Sequence, residues 1–109
     1  MNKGSKNTKR ERNINMYKAI LTLETVDECL KFFDDLCSVT ELRAIEQRYH
    51  VARMLNDGHI YSAILERTGA SSATISRVNR SLQYGKGSYD KVFGRLDGKN
   101  AAQKNDSKS

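Results

Sequence analysis

The sequence contains no proline and no tryptophan in its 109 residues. Without proline, no ring clash or missing N–H interrupts a helix from within, so only glycines and capping residues punctuate the chain. There are two cysteines, Cys29 and Cys37. Both fall in one predicted helix, where eight residues of rise separate them by about 12 Å, beyond the reach of a disulfide. No C-x-x-C or Cys/His metal spacing is present, and His50 and His59 have no partner pattern. Both cysteines read as small core hydrophobes.

Long apolar runs are also missing, and none approaches the roughly 20 residues a membrane helix requires. The opening MNKGSKNTKRERN lacks an apolar segment behind its basic residues, so no secretory signal is expected. A cytoplasmic protein is expected, with no membrane partner. Catalytic patterns are lacking too: no nucleophile–base pair, metal cluster or phosphate-binding loop can be recognised, and neither an enzyme nor a cofactor is expected. Thr25 with Glu28, and Ser38 with Glu41, pair a hydroxyl with a carboxylate three residues on. That spacing is the capping box of a helix start.

One absence is local. No carboxylate occurs between Glu66 and Asp90, while Arg67, Arg77, Arg80 and Lys86 lie in that interval. The whole chain carries 19 basic against 13 acidic residues, a net charge of +6. Such a balance favours a polyanionic partner, whether DNA, RNA or an anionic membrane surface.

What is present is helical periodicity. Residues 1–13 form a basic arm and residues 97–109 a polar tail; both compositions predict disorder. Between them, 14–96 reads as one all-α domain of six helices. Ile14, Tyr17, Ile20 and Leu21 mark the first. Val26, Cys29, Leu30, Phe33 and Leu36 mark the second, behind Thr25. A long third helix opens at Ser38, with Leu42, Ile45, Tyr49, Ala52 and Leu55 inward. A short helix from Tyr61 to Thr68 ends at Gly69, another runs from Ser71 or Ser72 to Gly85, and a last one starts near Ser88 with Tyr89, Val92, Phe93 and Leu96 on one side. A core of about 80 residues buries little surface alone, so apolar faces at both its ends favour a homodimer.

The two helices meeting at Thr68-Gly69-Ala70 form a helix-turn-helix over about 61–84. Gly69 supplies the left-handed turn. Ile64 and Leu65 are expected inward on the first helix, and Ile75, Val78 and Leu82 on the second. That arrangement turns Ser72, Ala73, Thr74, Ser76 and Asn79 toward or beside the open face. Small side chains allow close approach to a major groove, hydroxyls reach base edges or phosphates, and methyls meet thymine. The free N–H groups near Ser71 suit a phosphate. Arg77 and Arg80 follow where a DNA backbone would pass, with Arg67 and Lys86 completing the cationic set. A helical module that packs on another protein, or an RNA reader, are the alternatives. RNA readers stack bases on exposed aromatics, and Tyr84 and Tyr89 are expected to be packing residues instead.

From about Phe32 to Val92 the chain resembles the Trp repressor superfamily, and more closely its YerC/YecD-type branch. The residues that carry this are FFDDLCSVTELRAIEQRYHVARMLNDG (32–58) and TGASSATISRVNRSLQYG (68–85). The resemblance implies an intertwined homodimer presenting two helix-turn-helix units to double-stranded DNA. It implies a transcriptional regulator, in the repressing direction, on a palindromic operator with half-sites about one helical turn apart. It places Ser72, Ala73 and Thr74 at base-facing positions, and Ser76, Arg77 and Arg80 toward DNA or its backbone. It also implies a candidate effector pocket of Arg48, Arg77, Val78 and Ser81. Val78 stands where the tryptophan-sensing member has a glycine that makes room for the indole, so no tryptophan corepressor is expected.

Overall fold

The computed structural model describes the backbone of residues 10–108 and the side chains of residues 10–98. Helix starts follow the capping residues. Asn13 Oδ1 accepts the Met16 N–H at 3.2 Å and opens α1, Ile14–Ile20. Thr25 Oγ1 accepts the Glu28 N–H at 3.1 Å and opens α2, Val26–Leu36. The reciprocal arm of that box reaches one residue further back, because Glu28 Oε1 accepts the Glu24 N–H at 2.8 Å. Directly after Ser38 comes α3, Val39–Asn56, followed by α4 (Tyr61–Thr68), α5 (Ser72–Tyr84) and α6 (Ser88–Lys108). No strand occurs among the described residues. The architecture is all-α, with the six helices the periodicity predicts.

Two expectations about the ends need comment. The first nine residues of the basic arm lie outside the described residues, and residues 10–13 precede α1 without regular structure. The segment 97–109 was expected to be disordered, but α6 continues to Lys108. Ala101, Ala102, Gln103 and Lys104 are strong helix formers, and no proline stops the helix before them.

The chain divides into two compact units, Met1–Ser38 and Val39–Ser109. The first holds α1 and α2 and has no buried residue in either helix. Leu21 is 83 % exposed and Val26 76 %, and Ile14, Leu30 and Leu36 are exposed with them. Phe32 and Phe33 are half-buried and meet edge to face at 5.8 Å. Cys29 lies on the surface of the single chain and Cys37 is half-buried, so Cys29 is not the core residue expected of it. Its stripe has the right period, but nothing in its own unit covers it.

The second unit supplies the core. Val51, Ala52 and Met54 of α3 pack with Ile64 of α4, Ala70 of the turn that follows it, Ile75 and Val78 of α5, and Phe93 of α6. Tyr89 stacks on Phe93 at 5.7 Å, and Tyr49 meets the same ring edge-on at 5.8 Å. The Arg53 guanidinium lies 4.7 Å from the Phe93 ring centroid and donates to Asp97, with Asp57 at 3.7 Å. The hydrogen bond to Asp97 raises the Arg53 pKa above its ordinary value, against the opposing effect of burial. One arginine thus fixes α6 to the end of α3. Ile45 and Tyr49, expected inward on α3, stay partly exposed in the single chain, as do Val92 and Leu96 on α6, all between 42 and 46 %.

Candidate nucleic-acid interface

The interface begins at a turn held from two sides. Gly69 closes α4 with φ +71°, and its N–H reaches the Leu65 carbonyl at 3.0 Å. Nothing stands within 4 Å of where a Cβ would be, so the positive φ, and not space, calls for glycine there. Thr68 Oγ1 donates to the Ile64 carbonyl at 2.7 Å and accepts the Ala70 N–H at 3.1 Å. From α3, Gln47 Nε2 donates to the Thr68 carbonyl at 3.1 Å. With Ala70 and Ile75 buried beyond the turn, α5 leaves it in a fixed direction.

Ser71 caps α5. Its Oγ accepts the Thr74 N–H at 3.1 Å and donates to Thr74 Oγ1 at 3.0 Å. The Ile75 N–H goes to the Ser71 carbonyl, which leaves the N–H groups at Ser72 and Ala73 directed out of the helix end. No acidic residue occupies the first turn. A helix end of this kind carries about half a positive charge and suits an anion.

Most of the predicted contact residues lie on this open side. Ser71, Ser72, Ala73, Ser76, Arg77 and Arg80 are exposed, as are Arg67 at the end of α4 and Lys86 after α5. Thr74 is half-buried, and its oxygen receives the Ser71 hydroxyl. Its own hydroxyl hydrogen remains to donate. Among the described residues no carboxylate holds Arg77 or Arg80.

Three residues differ from expectation. Leu65, expected inward, is 37 % exposed, while Ile64 alone on α4 is fully buried. Tyr84, expected to pack, is 84 % exposed. The helical wheel held that signal: nine positions at about 100° each place residue 84 opposite the buried Ile75. Gln47 was not anticipated at all, since its partner is 21 positions away.

The residues of the candidate effector pocket are only partly brought together. Arg77 and Ser81 line an open cleft of about 280 Å³ with Arg80, Tyr84 and Gly85. Val78 faces the other way, buried at 3 % in the core, and Arg48 is an exposed residue of α3 outside that lining. Gly85 forms the end of the cleft, where a Cβ would fall 2.3 Å from the Ser81 carbonyl oxygen.

Comparison with known proteins is consistent along the chain. The family model for Trp repressor protein matches residues 13–97. The uncharacterized protein YerC of Bacillus subtilis (strain 168) is 47 % identical over 81 residues, covering 74 % of this chain and 78 % of that protein. A proposed Trp repressor from Staphylococcus aureus superposes with a TM-score of 0.75 at 48 % identity, covering 77 % of this chain and 84 % of the other. A TrpR-like protein from Eubacterium eligens ATCC 27750 gives 0.75 at 50 % identity, covering 77 % and 87 %.

Proposed function

The chain belongs to the Trp repressor family, whose members are DNA-binding regulators and not enzymes, and from that premise we propose that it is a sequence-specific transcription regulator, acting by repression on a palindromic operator as a homodimer. The observation that carries this reading is α5 itself. Its start offers small exposed side chains and outward N–H groups, and its length is cationic without a carboxylate. Ser72, Ala73 and Thr74 are the base-facing residues in this reading. Ser71, Ser76, Arg67, Arg77, Arg80 and Lys86 contact the backbone. Phosphate contacts would supply much of the affinity and set the register, while base contacts would supply the choice of sequence.

The dimer is supported by the first unit. A stable monomer rarely leaves as many large apolar side chains exposed as α1 and α2 do here, and a second copy would bury them. No tryptophan corepressor enters this reading: by the resemblance Val78 takes the place of the pocket glycine, and its side chain is buried in the core.

Selection of bound duplexes from a random pool at near-physiological salt tests the proposal. A two-fold symmetric consensus is the expected result. Failure to enrich any sequence, together with salt-independent behaviour on duplex DNA, would instead favour a helix-turn-helix used for protein contacts.

A further inference from the structure

The cleft at the far end of α5 is not explained by base reading. From Ser72 to Tyr84 the helix rises about 18 Å, and from Ser72 to Arg80 about 12 Å. The major groove is only about 8.5 Å deep. A helix that enters by its N-terminal end therefore leaves the groove before Arg80. Arg80 and Ser81 stand about 4–5 Å past that depth and Tyr84 about 9–10 Å past it, and because helical side chains lean toward the N-terminal end, their polar ends reach back toward the phosphate rim.

The groups there share one chemistry. Arg77, Arg80, Ser81 and Tyr84 follow one another at i, i+3, i+4 and i+7, and so stand on one side of α5 around the cleft. All four are exposed, and Tyr84 contributes nothing to the core. Two guanidinium groups, an aliphatic hydroxyl and a phenol hydroxyl all donate to an anion. The carboxyl end of the helix opposes an anion with about half a negative charge. Two full positive charges outweigh it.

We propose that this cleft is a second phosphate site, in which the Tyr84 and Ser81 hydroxyls act with Arg77 and Arg80 to hold a backbone phosphate of duplex DNA outside the stretch read by the start of α5. The proposal rests on the DNA-binding reading above. A free phosphate ester has the same chemistry, and the test separates the two sources.

The full-length protein is titrated onto its selected duplex and onto random duplex over a range of salt, followed by fluorescence anisotropy. The Tyr84→Phe variant removes one neutral donor and is expected to weaken both duplexes about five-fold at every salt concentration, the value of about 1 kcal/mol for one hydrogen bond. Its salt slope should match that of the wild type, whereas Arg80→Ala should reduce the slope by about 0.9. Circular dichroism confirms that each variant is folded. Tyr84→Phe binding as tightly as the wild type would overturn the cleft proposal alone. Wild-type protein with no salt-dependent binding to any duplex would overturn the DNA-binding reading itself. In a parallel arm, inorganic phosphate and adenosine monophosphate are titrated into the DNA-free protein by calorimetry. The proposal expects no binding of either that depends on Tyr84. Micromolar binding of the nucleotide that is lost in Tyr84→Phe, with DNA affinity unchanged, would assign the cleft to a free ligand and overturn the proposal.

Discussion

Gln47 on α3 donates its amide hydrogen to the carbonyl oxygen of Thr68, the last residue of α4, at 3.1 Å. A carbonyl in the final turn of a helix has no intrahelical partner, and this one is half-buried at the bend of the helix-turn-helix. The bond satisfies that group and ties the helix-turn-helix to the helix that carries much of the core. Gln47→Ala is expected to cost about 1–2 kcal/mol, because the carbonyl loses its donor. For a domain of this size that is a fall in Tm of about 4–8 °C per kcal/mol. Thermal unfolding at matched protomer concentration measures it, and an unchanged Tm would show that water replaces the amide without loss.

Ser71 separates stability from recognition. Ser71→Ala removes the cap on the Thr74 N–H and should cost about 1 kcal/mol. Ser71→Asp keeps a capping oxygen and complements the helix dipole, so its Tm should equal or exceed that of the wild type. The same carboxylate would face DNA phosphate. Even at the aqueous limit of about 1 kcal/mol at 4 Å, duplex affinity should fall about five-fold or more. Ser71→Asp binding DNA normally would remove this helix end from the interface.

Arg80 and Thr74 should fail differently. Arg80→Ala is expected to weaken selected and random duplexes by the same factor, since it acts on phosphate. Thr74→Ala, or a bulky replacement of Ala73, should change which sequences are preferred. Binding to a panel of single-site operator variants distinguishes the two patterns. An Arg80→Ala protein with unaltered affinity would remove the phosphate role.

Gly69 is needed for its backbone and not for space. Gly69→Ala should cost about 1–2 kcal/mol, the strain of a left-handed residue with a Cβ. Asn tolerates that region better, so Gly69→Asn should recover part of the loss. Urea denaturation of the three proteins gives the order directly.

The proposed dimer gives a prediction about mass. Sedimentation equilibrium should return twice the 12.4 kDa of one chain. Leu30→Asp places a charge on the exposed apolar face of α2 and should shift the protein toward monomer, with lower Tm at low concentration. A monomeric wild-type protein would leave that apolar surface without the partner proposed for it.

Much of the site was legible in the primary structure. Ser71, Gly69 and the carboxylate-free α5 are local features, and capping, turn and periodicity rules act over three or four residues. The wheel position of Tyr84, opposite Ile75, is visible in the sequence, but its aromatic ring favours packing and only the structure shows it exposed. The period of Val78 alone makes it a packing residue. The resemblance marked it as part of a pocket, and the structure places it in the core beside Ile75.

The chain by itself determined where each helix begins and where the first five stop, and that one of them is small-faced, cationic and free of acid, because those properties depend on near neighbours. Tertiary structure alone decided which faces are covered. It brought Gln47 to Thr68 across 21 positions and Arg53 to Asp97 across 44, and it left Cys29, Ile45 and Tyr84 exposed in the single chain. The physical reason is that helix crossing sets such contacts, and no local pattern encodes which turn of one helix meets which turn of another.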